Sequence, residues 1–312
     1  MPLPLLTEQS VVAAKLEGTY GTAESLTTAE AAMNIFDADF NPDGAITQRQ
    51  GQSALSPLAG VPGAVMNKAK FKSYLYGDGA SDPPLWTLFL QASGMAVSTA
   101  TFTPQTGSAT AKSITLAQYL DGNVYKLSGA MGNWTLDGEA GMPCVFSWEF
   151  TGKYEVDAAV AILAPTYPTT IPPVFMGSTL TIGGVTHNIT KFSISPNNTV
   201  DMRECGNDSS NAPKGYLGAH IPKRRYTMKV TAEAVLQSTK DWRALYIAGT
   251  TAALVLTIGS ASHNTHSFTA PVMQLNAIPQ MTDDNGKQMV ELTYDLCRSA
   301  AAGDDEFQLV ES

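Results

Sequence analysis

The chain repeats one pattern of residues, and this repeat limits the fold more than any other feature. Pro42 and Pro196, and likewise Arg49 and Arg203, are 154 positions apart (196 − 42 and 203 − 49). Each copy continues with a polar stretch rich in Gly and Pro, a strand with period-2 alternation, and a short segment with a Trp on its apolar face. The repeat predicts two tandem domains of the same fold, each mainly β with one flanking α-helix and one long loop.

The composition agrees with this organisation and limits the function. A chain of 312 residues is long enough for two domains of roughly 150 residues, each with its own core. Hydrophobic residues make up 44% and there are 26 Gly and 18 Pro, which is typical of a β-rich protein with many turns. The net charge of −9 does not favour nucleic-acid binding. Neither a membrane-spanning run nor a signal peptide is recognisable, so we expect synthesis in a cytoplasm and no membrane insertion.

Five segments are predicted in chain order. They are an N-terminal arm (1–30), a first domain (31–155), a proline-rich linker (156–178), a second domain (179–298) and a C-terminal segment (299–312). The arm is predicted to contain a short helix from Glu8 to Leu16. The C-terminal segment has enough apolar residues for one short strand, and its acidic residues suit the edge of a sheet.

Each domain is predicted to carry one helix that packs outside the sheet and is anchored by a Trp. The first helix runs from Asp82 to Ala92 with Trp86 as its anchor, and the second from Thr239 to Ala248 with Trp242. After the first helix, the alternation of residues predicts a meander of four strands, at 111–119, 123–130, 133–140 and 143–154.

The sequence contains no recognisable catalytic, metal or cofactor motif, so we expect neither enzyme activity nor a bound cofactor. His263 and His266 have a chelating spacing, but they lie in a turn-rich segment without a third ligand. The only basic run, at residues 223–225, is too small for a nucleic-acid patch. It is better interpreted as an ion-pair site between subunits or as a solvated strand end.

Four short motifs are spread over nearly the whole chain. They are Glu17-Gly-Thr-Tyr-Gly-Thr22, Tyr74-Leu-Tyr-Gly-Asp-Gly79 before a Pro-Pro-Leu-Trp helix, Gly129-Ala-Met-Gly-Asn-Trp134 leading to Phe150-Thr-Gly-Lys-Tyr154, and Gly303-Asp-Asp-Glu-Phe307. Together they resemble the major tail tube proteins of long, non-contractile-tailed bacteriophages. The resemblance implies a mainly β (α+β) fold of two tail-tube-type β-barrel or sandwich domains, whereas many members of that family carry only one.

The resemblance also implies a function and a set of partners. It implies a structural virion protein, assembled in the host cytoplasm, whose stacked rings form the tail tube that conducts the genome. Its partners would be its own copies, a tape measure protein in the lumen, and the tail terminator and distal tail proteins. DNA would pass without specific binding, because an acidic lumen repels phosphates. The alternatives are a distal tail or baseplate-hub protein of the same fold, and a two-domain carbohydrate-binding β-protein.

Ring assembly gives the two long polar segments, 44–63 and 197–222, a predicted role. Loops of this length in a compact domain are usually functional or disordered, so we expect these two to be ordered only in the assembly, where as hairpins they would reach a neighbouring ring. The predicted contact residues are Arg49, Gln50, Leu55, Leu58, Val61, Arg203, Tyr216 and Leu217. Two domains per chain further predict a homotrimeric ring with pseudo-sixfold symmetry.

Overall fold

The computed structural model of the chain describes residues 6, 8–51, 56–77, 83–107, 110–206 and 215–312. The first half contains strands β1 (Ser10–Leu16), β2 (Ile35–Arg49), β3 (Leu58–Tyr74), β4 (Met95–Ser98), β5 (Thr101–Pro104), β6 (Ile114–Leu120), β7 (Asn123–Glu139), β8 (Val145–Tyr154) and β9 (Ala158–Ala159), with helix α1 (Thr87–Ala92). The second half contains β10 (Thr179–Ile182), β11 (Val185–Thr186), β12 (Ile189–Ser195), β13 (Thr199–Glu204), β14 (Tyr216–Lys223), β15 (Thr227–Glu233), β16 (Thr251–Ala261), β17 (Asn264–Leu275), β18 (Gln280–Asp284), β19 (Lys287–Cys297) and β20 (Gln308–Glu311), with helix α2 (Trp242–Ile247).

The prediction of a mainly β fold is confirmed. The strands form large antiparallel sheets that do not close into a barrel, which is consistent with a β-sandwich.

The strands of the two halves pair in the same order. In the first half the order is β1–β6–β7–β8–β3–β2. In the second half it is β10–β16–β17–β19–β15–β12. Along the chain, helix α1 lies between β3 and β6, and helix α2 lies between β15 and β16, which hold the same places in the pairing order of the second half. The domain boundaries given above stay a prediction, because a pairing order does not fix where one domain ends.

The antiparallel pairing of β12 with β7 joins the halves into a continuous sheet, in addition to the link that β20 makes between β5 and β17. Strand β12 pairs with the C-terminal part of β7, so that Ile194 lies opposite Leu136 and Lys191 opposite Glu139. The resulting order is β2–β3–β8–β7–β12–β15–β19. One side of this sheet packs into a hydrophobic core with residues from both halves, including Trp134 and Phe268.

Both ends of the chain differ from their predictions. The helix predicted from Glu8 to Leu16 is wrong, because Ser10–Leu16 is strand β1, paired with β6. Residues 299–312 do form a short strand, β20, but it is not at a sheet edge. It pairs with β17 on one side and β5 on the other, because Phe307 and Leu309 are buried between the two halves.

Two further predictions need correction. The meander has three strands, because residues 123–139 are one strand in which Gly129, at a φ of 58°, takes part in a β-bulge. Helix α1 begins at Thr87 instead of Asp82, which lies outside the described residues. Helix α2 is also shorter than predicted, because the Asp241 side chain accepts a 2.9 Å hydrogen bond from the Ala244 amide and forms its N-cap.

The proline-rich segment 156–178 contains only β9 and an isolated bridge at Val174. Side-chain amides tether it to both halves of the chain. Asn34 donates to the Pro168 carbonyl at 3.2 Å, and Asn264 donates to the Ile171 carbonyl at 3.0 Å. This geometry fits a stiff, extended connector, although its role as a linker between domains stays a prediction.

Candidate assembly surfaces

The solvent-facing side of the continuous sheet carries five ion pairs and a further exposed cation, Lys229 on β15. On β3, Lys68, Lys70 and Lys72 alternate with buried side chains. The ion pairs on this side are Lys68–Asp43 (2.7 Å), Lys70–Glu149 (2.9 Å), Lys72–Asp37 (2.8 Å), Lys191–Glu139 (3.0 Å) and Arg225–Asp295. Exposed ion pairs contribute only about 0–1 kcal/mol each to stability. Their main effect is a hydrated surface on which these cations are locally neutralised.

The opposite side of the sheet is aromatic. Helix α1 covers it, with the Phe89 ring 4.9 Å from Phe71 and 5.1 Å from Trp148. The two predicted anchors, Trp86 and Trp242, are both buried at the N-termini of their helices. Trp86 also donates a 2.8 Å hydrogen bond to the Tyr76 carbonyl. The placement of both rings fits an anchoring role, which stays a prediction until the energetics are measured.

Strands β2 and β3 form a hairpin that extends beyond the sheet. Strand β3 pairs with β8 only from Met66 onward, whereas its pairing with β2 continues out to Leu58. Residues 58–65 therefore reach past the sheet by roughly 26 Å, at about 3.3 Å per residue. Ile46, Leu58 and Val61 are 65%, 44% and 51% exposed. Large apolar side chains on a projecting arm are typical of a surface that contacts a partner.

The contact residues predicted in segment 44–63 lie on this hairpin. Arg49, Gln50, Leu58 and Val61 are exposed on it, and Leu55 lies outside the described residues. The sequence reasoning missed Ile46, which is more exposed than Leu58 and Val61 on the described part of the hairpin. Its bulk within an otherwise polar stretch was the signal that could have identified it.

The second predicted loop is also a hairpin, formed by β13 and β14, and it lies against the first half of the chain. The Tyr20 hydroxyl donates a 2.7 Å hydrogen bond to the Ala219 carbonyl, and the Arg203 guanidinium lies 5.4 Å from the centre of the Tyr20 ring. The other two predicted contact residues, Tyr216 and Leu217, are half-buried. At least part of this hairpin's surface is therefore used within the chain.

Three glycines with positive φ allow this close approach. They are Gly21 (72°), Gly129 (58°) and Gly218 (149°). A Cβ atom on Gly21 would lie 2.3 Å from the carbonyl oxygen of Leu217. Gly21 and Gly129 belong to two of the motifs that carry the family resemblance, so these motifs meet at the second hairpin.

A buried carboxylate fixes the turn that carries Tyr20. Glu17 accepts hydrogen bonds from the amides of Gly21 (2.8 Å) and Gly129 (2.6 Å) and from the hydroxyls of Ser113 (2.6 Å) and Thr115 (2.9 Å). Four donors satisfy the charge of this buried group. Glu17 therefore has a structural role, which is to hold the N-terminal turn against β6 and β7.

The two arginines of the basic run pair with carboxylates within the chain. Arg224 pairs with Asp304 and donates from Nε to Glu306 at 2.7 Å. Burial raises the pKa of the Asp304 carboxyl. Hydrogen bonds from Thr106 and Arg224 lower this pKa by more than burial raises it, so the pKa is below its usual range. The acidic C-terminal motif thus binds the start of β15. The sequence reasoning missed this pairing because the partners are far apart in the chain.

The described part of the chain contains no group of three or more His, Cys, Asp or Glu residues that could hold a metal ion. His263 lies exposed in a turn, whereas His266 is buried with its ring 6.3 Å from that of Trp86. Burial lowers the pKa of His266 to about 4. Neither α-helix among the described residues has the length and apolar character needed to cross a bilayer.

Comparison with known proteins places these surfaces in context. The model of the protein family described as phage tail tube protein matches residues 7–296. No curated protein matches the chain. The family match covers nearly the whole sequence and both halves of the fold, and it agrees with the resemblance carried by the four motifs. The chain belongs to the phage tail tube protein family and is a structural component of the virion tail.

Proposed function

We propose that this chain assembles into stacked rings that form the tail tube, and that the ion-paired side of its sheet lines the lumen through which the genome passes. The observation that carries this proposal is the continuous sheet itself. It runs through both halves of the chain, with one side packed against an aromatic core and the other hydrated and charged. A wall of a water-filled tube requires one buried and one wet side.

The charges of the wet side fit the passage of DNA. Unpaired Lys and Arg side chains would bind phosphates and release counterions, which would hold the DNA in place. On this sheet, Lys68, Lys70, Lys72, Lys191 and Arg225 each have a carboxylate partner. Lys229, exposed on the same side of β15, forms no ion pair with the described residues. The net charge of −9 adds a weak repulsion. We infer that DNA slides past this surface without specific contacts.

The projecting β2–β3 hairpin is proposed to contact the neighbouring ring. Its exposed apolar residues and its reach beyond the sheet support this role. The β13–β14 hairpin packs against the β2–β3 hairpin, since a Cβ atom on Gly215 would lie only 2.6 Å from the Ala64 Cβ. We further propose that Arg203, exposed on this second hairpin, takes part in the same contact between rings.

The proposed partners follow from the family. They are further copies of the chain, a tape measure protein in the lumen, and terminator and distal tail proteins at the two ends, joined during assembly in the host cytoplasm. All four Trp rings are buried, which does not favour a carbohydrate-binding surface built on them.

A shortened hairpin tests the proposal. Gly44 and Val65 lie opposite each other, and the Val65 amide can donate the closing hydrogen bond of a tight turn, so replacing residues 45–64 by Asn-Gly closes a shorter hairpin and leaves the sheet from Met66 onward unchanged. The variant should fold and remain unassembled, while the unmodified chain forms tubes visible by negative-stain microscopy. A matched pair of point variants is Val61→Asp and Val255→Asp, because both valines are exposed on strands but only Val61 is on the hairpin. Normal tubes from the shortened chain and from Val61→Asp would contradict the proposal.

A further inference from the structure

The junction between the two halves is a local contact with a defined register. In it, Ile194 on β12 lies opposite Leu136 on β7, and both side chains are buried. Ser193 lies opposite Asp137, one position further along. This junction uses an outer strand of the second half and one end of a long strand of the first half. Because the pairing order is repeated, each of these two junction strands has an equivalent in the other half of the chain.

Strands β2 and β12 are equivalent outer strands. Ile194 lies opposite Met228 on β15, and Phe40 lies opposite Ala69 on β3. Ile194 and Phe40 are 154 positions apart, which is the spacing of the sequence repeat. The first half therefore offers the segment around Asp39 and Phe40 where the second half offers the segment that forms the junction.

Strand β18 is the equivalent of the C-terminal part of β7. Leu136 lies opposite Phe146 on β8, and Met281 lies opposite Val290 on β19. Phe146 and Val290 hold the same place in the repeat, 144 positions apart. Met281 and Thr282 of the second half thus correspond to Leu136 and Asp137 of the first.

Both equivalents have an unused edge. Among the described residues, β2 pairs only with β3, and β18 pairs only with β19. Met281 is 40% exposed, whereas its counterpart Leu136 is fully buried in the junction. Each chain therefore forms one junction internally. It also has the two strands of a second junction, β2 and β18, with free edges at opposite ends of the continuous sheet.

We propose that β2 of one chain pairs with β18 of the next copy in the ring, antiparallel, with Phe40 opposite Met281 and Asp39 opposite Thr282. This inference rests on the proposed function, and it names the contact by which the rings close. The pairing continues the sheet from chain to chain and leaves no free edge within the ring. It also repeats the apolar pair Ile194–Leu136 as Phe40–Met281, which covers the exposed Met side chain.

The two junctions differ in charge. The internal junction contains the Lys191–Glu139 ion pair, with its atoms 3.0 Å apart. The junction between chains brings Asp39 near the acidic end of β18, at Asp283 and Asp284. Like charges on neighbouring strands repel each other, so the contact between chains is weaker than the internal one and is strengthened by added salt.

Paired cysteines test the register. Asp39→Cys with Thr282→Cys places two thiols directly opposite each other, within reach of a disulfide. Asp39→Cys with Asp284→Cys is the matched control, because its second thiol lies two positions further along β18. Tubes of each double variant and of the single variants are oxidised and run on a non-reducing denaturing gel. The first pair should give covalent dimers and larger multimers, and the control pair and single variants should stay at the background level set by the native cysteines.

Tubes in which the first pair crosslinks no more than the control would overturn the inference and leave the proposed function intact. If the unmodified chain forms no tubes, the proposed function fails and the inference fails with it. If only the cysteine variants fail to assemble, hydrogen exchange of unmodified tubes decides. Amides at 281–284 should exchange as slowly as those at 136–139 in the internal junction. Fast exchange at 281–284, at the rate of the exposed linker, would also overturn the inference.

Discussion

Gly129 and Gly218 approach each other so closely that a Cβ atom on Gly129 would lie 2.9 Å from the Cα atom of Gly218. This contact seats the β13–β14 hairpin on β7. Gly129→Ala should therefore destabilise the chain and loosen the hairpin. Gly122→Ala is the matched control, since Gly122 also has a positive φ but has open space around its Cβ position.

We expect Gly129→Ala to lower the free energy of unfolding by about 1–3 kcal/mol more than Gly122→Ala, because overpacking adds to the backbone strain that both share. Chemical denaturation measures the difference, and hydrogen exchange should show faster exchange at 216–223 only in Gly129→Ala. Equal losses for the two variants would mean that the close contact contributes nothing beyond the backbone strain.

Trp86 and Trp242 are predicted to be structural anchors of their helices. Both rings are buried, so Trp→Ala at either position should lower the free energy of unfolding by about 3–5 kcal/mol. Trp86→Phe should cost more than Trp242→Phe, because Trp86 donates to the Tyr76 carbonyl while the Trp242 indole has no hydrogen-bond partner among the described residues. Losses below about 1 kcal/mol for both alanine variants would show that neither ring anchors its helix.

His266 should make the fold sensitive to acid. Its pKa is lowered by burial to about 4, whereas in the unfolded chain the pKa is near the ordinary value of 6.5. The unfolded chain therefore binds a proton that the folded chain does not, so stability falls as the pH drops from about 6.5 to about 4. The expected loss is about 3 kcal/mol. His266→Gln should remove this part of the acid dependence, and His263→Gln, at an exposed turn, should not. Identical acid profiles for the unmodified chain and His266→Gln would contradict the assignment.

Local alternation in the sequence predicted those parts of the fold in which one face of a strand is buried. Trp148 and Leu292, matched by the repeat, do lie at equivalent positions of β8 and β19. The helix predicted from Glu8 to Leu16 failed because Ala13 and Ala14 favour a helix locally, while pairing with β6 and burial decide their structure. Tertiary pairing overrides such weak local preferences.

The assembly surfaces were only partly predictable for the same reason. The exposure of Arg49 and Val61 follows from a long polar segment with few apolar residues. The ion pair of Arg224 with Asp304 could not be predicted, because the two residues are 80 positions apart and nothing local connects them. The break predicted between residues 130 and 133 lies within one strand, next to the bulge at Gly129, because a bulge interrupts the alternation of side chains as the end of a strand does.

The wet side of the sheet should bind DNA if its acids are neutralised. Glu139→Gln with Glu149→Gln leaves Lys191 and Lys70 without their partners on the proposed lumen surface. A control with the same change of net charge is Glu8→Gln with Asp157→Asn, two exposed acids that take part in none of the ion pairs of this side. Tubes of the first variant should retain several-fold more short duplex DNA in sedimentation at low salt, and the difference should vanish as salt is raised. Equal retention by the two variants would argue that this side does not face the lumen.

The number of chains in each ring is the last prediction. A ring that closes with six tube domains needs only three copies of a chain that carries two, and the identical pairing order of the two halves supports this count. The connector at 156–178 is extended enough to run from one half to the next along the wall of the ring.

Three chains of 33.1 kDa give about 99 kDa per ring, and six give about 199 kDa. Mass per unit length from scanning transmission microscopy, combined with the spacing between rings, separates these values, as does the rotational symmetry of end-on averages. Threefold symmetry and the smaller mass are expected. A ring of the larger mass would mean that one half of each chain builds the tube while the other lies outside it, which would also exclude the proposed pairing of β2 with β18.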